Sequence, residues 1–133
     1  MEEADRIQDL VAKELGLIED SRRAASLRTL LVTPRRDERE WDYGEPGTHY
    51  PYWIVAEACD RRILLVYCEH GFGPAMPWGF LFTNDPDAAT LGMDSQWSWY
   101  LEESFVRSGL WQGTIQESEP WNLPPDERFM RST

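Results

Sequence analysis

No stretch of the chain approaches the roughly 20 consecutive apolar residues that a membrane-spanning helix requires. Nor do the first ten residues, MEEADRIQDL, look like a secretion signal, because they are acidic and amphipathic. A cytoplasmic location is therefore expected, with no membrane partner. Cysteine is scarce, Cys59 and Cys68 being the two, and in a cytosolic protein they should be reduced thiols. Lysine is rarer still: 12 of the 13 basic residues are arginine, a bias that reads as genome composition. Internal repeats and low-complexity tracts are absent.

Positive charge is the most unevenly lacking feature. The net charge is −11, yet residues 1–36 carry seven acids and seven bases. Residues 37–133 hold 17 acids against six bases and account for the whole imbalance. An acidic surface repels phosphate and steers basic partners inward, so nucleic-acid binding is not expected. The same acidity would also serve solubility alone. Aromatics, by contrast, are plentiful: seven Trp, five Tyr and five Phe in 133 residues. Such rings fill cores, and they also line binding surfaces. The length fits one domain, 1–133, able to bury a core.

The chain is organised around Tyr50–Thr83, where YPYWIVAEA, a short CDR turn, RILLVYCEHG and FGPAMPWGFLFT follow in succession. A hairpin turning at Asp60-Arg61 would pair residues summing to 121, setting Glu57 opposite Leu64, Val55 opposite Val66 and Trp53 opposite Cys68. Ile54, Ala56, Ala58, Ile63, Leu65 and Tyr67 then share one face; Trp53, Val55, Leu64, Val66 and Cys68 share the other, interrupted by Glu57. Two apolar faces predict cover on both sides or a central position in the sheet. The register also sets Cys59 and Cys68 about 20 Å apart, which excludes a disulfide between them.

Before this core, the spacing of Ile7, Leu10, Val11 and Leu15 predicts a helix over 4–15, stopped by Gly16. Residues 17–25 read equally as a helical extension or a loop. Leu27–Thr33 reads as the first strand, ended by Pro34, with a long charged loop to Pro51. Trp41 and Tyr43 would pin that loop. After the core, 71–79 reads as a stiff two-proline loop leading to the strand Phe80–Thr83. A helix is expected over about 95–108, capped by Asp94 or Ser95 and ended by Gly109. Trp99, Glu102, Glu103 and Arg107 lie on its outward side. Leu110–Ile115 is a candidate last strand, and 116–133 an irregular, proline- and charge-rich tail.

Chemistry-bearing clusters are few. Cys68-Glu69-His70 offers a thiol beside an imidazole, but on a strand the two side chains lie about 6–7 Å apart, beyond direct activation. His49, Cys59, Cys68 and His70 lack the close pairing of zinc ligands. Gly71-Phe72-Gly73 lacks the Lys-Ser/Thr pair of a phosphate loop. Glu57 is either a charge paired with Arg62 or an acid in a cleft with a raised pKa. No metal or cofactor is expected.

The expected fold is α+β: an antiparallel sheet of about four or five strands packed by an N-terminal helix and the 95–108 helix. The expected function is that of a small, acidic, tryptophan-rich binding protein without enzymatic activity. Its type is that of bacterial immunity proteins, inhibitors that neutralise a basic partner such as a toxin nuclease. Trp41, Tyr43, Phe72, Trp78, Trp99, Glu102 and Glu103 would make the contact. Met76-Pro77-Trp78 reads equally as a core plug. The alternative is a small-molecule-binding or enzymatic pocket beside 71–79 with Glu57, Cys68 and His70 as its polar groups.

Overall fold

The computed structural model describes residues 2–41, 45, 47–72, 76–83, 91 and 96–113. Ile7 and Val11, one helical turn apart, are buried on α1 (Glu2–Gly16), the expected N-terminal helix. Residues 17–20 break the helix, and α2 (Ser21–Arg28) begins afresh because Asp20 caps it. The Asp20 carboxylate accepts the backbone N–H groups of Arg22 (2.9 Å) and Arg23 (3.2 Å), two donors that a helix start otherwise leaves unpaired.

Five antiparallel strands follow, in spatial order identical to chain order: β1 (Leu31–Glu40), β2 (His49–Ala58), β3 (Ile63–Phe72), β4 (Met76–Phe82) and β5 (Trp97–Ser98). The arrangement is α+β, as expected. The first strand is displaced from its expected place: it starts at Leu31 and runs through Pro34 to Glu40. Proline is tolerated because β1 lies at the sheet edge and its ladder register slips between Leu31 and Arg35. Much of the expected charged loop is therefore a hairpin arm, with Arg36 opposite Trp53 and Glu40 opposite His49.

In the β2–β3 hairpin the expected register holds for Ala58–Ile63, Glu57–Leu64 and Ala56–Leu65, and then slips by one. Trp53 faces Tyr67, not Cys68. The slip is a bulge at Val55, which puts Val55 on the same side as Ala56 and Ala58 and sends Ile54 to the other. The turn itself spans residues 59–62, with Arg62 in the left-handed region (φ 56°).

Met76-Pro77-Trp78 is strand rather than loop: Met76 pairs with Phe72 and Trp78 with Tyr67. The expected 95–108 helix shrinks to α3 (Leu101–Arg107). Trp97 and Ser98 instead pair with Gly79 and Trp78, and Tyr100 is extended. The aromatic WSWY run prefers the pleated ladder, and Gly79 makes the pairing possible. A Cβ there would lie 2.7 Å from the Trp97 ring. Gly109, at φ 85°, follows the end of α3 as expected. Leu110–Gly113 forms no strand; residues 114–133 lie outside the described residues.

Both sheet faces are covered. The helices pack Ile7, Val11, Leu27, Leu101 and Phe105 against Val55, Leu65 and Trp78. Tyr52, Ile54, Leu64, Val66 and Leu81 pack under Leu91 and Trp97 on the other face. The sheet curls around this second cluster. Although two strands lie between β1 and β4, Arg39 donates from Nη2 to the Phe82 carbonyl (3.0 Å) and from Nε to the Tyr52 hydroxyl (3.0 Å).

Candidate functional site

Because the bulge turns Trp53 to the helix side, its half-buried ring lies beside α1 and opposite Arg36 of β1. There it floors a groove of about 860 Å³, walled by Glu3, Ala4, Asp5 and Gln8 of α1 and by Thr33–Arg36 of β1. A second hollow of about 270 Å³ shares Trp53, Glu3 and Arg36 with the first and reaches Arg6, Pro51 and Glu69.

The charges around this groove are unequal. Arg6 pairs with Glu69 (2.6 Å), Arg36 with Glu38 (3.0 Å) and Arg35 with Glu57. The Glu69 carboxylate holds the Arg6 guanidinium above its ordinary pKa, and Arg35 holds Glu57 below the usual carboxylate value. All three guanidinium groups are thus engaged. Glu3 and Asp5 are exposed and have no ion-pair partner among the described residues. Three carboxylates (Glu3, Asp5 and Glu69) and three guanidinium groups (Arg6, Arg35 and Arg36) line the two hollows, and the two charged lining groups without an ion pair are both negative.

A second charged group lies inside the fold. Arg23 of α2 is buried and donates to Glu102 of α3 (2.7 Å), with its guanidinium over the Trp111 ring at 5.4 Å. Glu103 is 2% exposed, accepts the Trp99 N–H (3.3 Å) and pairs with Arg107 (3.0 Å). Glu14 reaches across from α1 and accepts the Leu101 N–H (2.9 Å), capping a helix whose own N-cap residue, Tyr100, supplies no side-chain bond. Burial, helped by the nearby Glu102, pushes Glu14 up to about 7.

These positions change the surface expected from the sequence. Glu102 and Glu103 point inward, not outward, because Arg23 and the Trp99 backbone draw them in. Trp78 is 3% exposed and packs against Tyr67 at 4.9 Å. These three are core groups. Trp41 is half-buried and stands edge-on to Tyr50 (5.8 Å); Trp99 is half-buried beside Glu103. Tyr43 and the side chains of Phe72 and His70 lie outside the described residues.

Glu57 pairs with Arg35, not Arg62. Cys68 is buried and donates its thiol to the Pro51 carbonyl (3.3 Å). It sits four residues along β3 from Leu64, the partner of Glu57, and so about 13 Å away. The fold does not join those two into one site. Neither cysteine is in a disulfide, and Cys59 is exposed. Among the described residues no three His, Cys, Asp or Glu side chains converge as metal ligands, and no helix is long and apolar enough to cross a membrane.

Nothing in the sequence alone marks Trp53, Glu3 and Asp5 as neighbours. Trp53 was hidden in an apolar strand, and the acids in an amphipathic helix. A signal was present in Arg35-Arg36-Asp37-Glu38, whose charges suit an edge strand bordering a cleft rather than a loop. Comparison with protein families, with characterised proteins and with solved structures finds no match.

Proposed function

We propose that this protein is a small acidic binding protein, without catalytic activity of its own, that engages a basic protein partner. An inhibitor of the immunity type, neutralising a basic enzyme such as a nuclease in the cytoplasm, is the form that suits this chemistry. The observation that carries the reading is the pair of carboxylates without an ion-pair partner, among the described residues, on the α1–β1 groove. Its arginines are already paired, its unpaired groups are Glu3 and Asp5, and it belongs to a chain of net charge −11. A partner cation entering this groove meets carboxylates that need no internal pair broken. Long-range attraction between an acidic protein and a basic one also raises the rate of encounter, in a salt-dependent way.

The test is affinity capture from the source cell's lysate at low and at high ionic strength. One stoichiometric basic protein, lost as salt rises and inhibited by this protein at equimolar ratio, is the expected outcome. Retention of nothing specific at either salt would refute the steering argument, and retention of an acidic protein would reverse it.

A further inference from the structure

We infer that the α1–β1 groove receives an arginine side chain of the partner, stacked on the Trp53 ring and hydrogen-bonded to Glu3 and Asp5. This rests on the acidic-binder reading above and adds the contact itself. A flat guanidinium is the group that satisfies both walls at once. Its face lies against an indole, the most favourable ring for a cation, while its edge presents N–H donors that match carboxylates. An ammonium has no flat face to stack. Among the described residues an arginine already lies over an aromatic ring in Arg23 over Trp111 at 5.4 Å and Arg39 over Tyr52 at 5.7 Å.

The groove's own arginines do not compete for the ring's carboxylate rim. Arg6, Arg35 and Arg36 hold Glu69, Glu57 and Glu38 respectively. An anionic ligand would have to share those guanidinium groups with the carboxylates that already neutralise them. Addition of a partner strand along β1 is disfavoured as well, since Pro34 and the charged run after it blunt that edge. Side-chain capture in the groove is what remains.

The experiment uses the full chain with nitrogen-15-labelled tryptophan and blocked tetra-arginine, tetra-lysine and tetra-glutamate peptides at low ionic strength. Trp53→Phe assigns the indole N–H signal. The expected result is a shift of the Trp53 signal on adding tetra-arginine, a weaker shift with tetra-lysine and none with tetra-glutamate. The double variant Glu3→Lys/Asp5→Lys changes only exposed positions of α1, so it keeps the test alive if Trp53→Phe fails to fold. It should weaken tetra-arginine binding about tenfold, as expected for reversing two rim charges. If tetra-arginine binds while Trp53 stays unmoved and the double variant binds equally well, the groove is not the contact, although an acidic binder elsewhere on the surface stands. A Trp53 shift with tetra-glutamate, or no binding by any peptide, overturns the inference. Lysate capture decides the broader reading independently.

Discussion

Replacing Glu14 by Gln isolates the energetic cost of one carboxylate placed between α1 and α3. The amide oxygen of Gln accepts the Leu101 N–H as the carboxylate does, so the cap survives while the charge is removed. Burial lifts Glu14 from its ordinary value of 4.5 to about 7 in the folded protein. The folded state therefore holds a proton that the unfolded state has released between pH 4.5 and 7. In that window the wild-type protein loses stability as pH rises, and above it this contribution is flat. A gap of that size at about 1.36 kcal/mol per pH unit sets a ceiling of about 3 kcal/mol. Partial exposure of Glu14 reduces the expected value to about 1–2 kcal/mol. Urea denaturation followed by tryptophan fluorescence, repeated from mildly acidic to mildly alkaline pH, measures it, with equal m values confirming that the denatured state is unchanged. Glu14→Gln should match wild type at the acidic end, draw ahead through neutrality and hold a constant lead beyond it. A variant that is less stable than wild type at alkaline pH would refute the reasoning. It would mean that attraction between the carboxylate and the α3 N-terminus, together with Lys13, outweighs desolvation.

Three other substitutions probe the fold. Gly79→Ala should cost about 1–3 kcal/mol, because its Cβ would press on the Trp97 ring, which is 1% exposed and has nowhere to move; thermal unfolding reads the loss, and an unchanged midpoint would deny the close approach. Glu102→Leu should cost about 3–5 kcal/mol by leaving the Arg23 charge buried without this carboxylate, while Arg23→Met/Glu102→Leu should recover most of it. Chemical denaturation of the single and double variants closes that cycle, and a double variant as unstable as the single would sink it. Arg62→Gly should stabilise by roughly 1 kcal/mol, since φ 56° is a conformation that glycine adopts without strain; a lower melting midpoint would show that the arginine side chain contributes more than its backbone costs.

The local rules located what local chemistry controls. The spacing of Ile7 and Val11 set α1 because one helical face must leave water. The doubly apolar run from Tyr52 to Cys68 announced a strand pair covered on both faces, since neither face could be left to solvent. Gly109 marked the end of α3 through a backbone angle other residues resist. LIEDSRRAA alone left a helical extension and a loop equally open, and only the structure shows that Asp20 caps a separate helix there.

Other features depended on partners distant in the chain. Pro34 ends a strand only where its missing N–H is needed, and only the strand order reveals that β1 lies at an edge. Trp97 left its expected helix because Gly79, 18 positions earlier, offers a flat place for its ring. Glu102 has the composition of a solvated helix face, and its burial follows from Arg23, which lies on another helix. The groove obeys the same logic. A single slipped register at Val55 turns Trp53 toward α1, and the acids beside it matter because Arg6 and Arg35 are taken by carboxylates of β3 and β2 and Arg36 by Glu38 of its own strand. Composition determined that this chain is acidic and rich in aromatics; the pairing of charges in the folded chain decided which carboxylates remain available and which ring they surround.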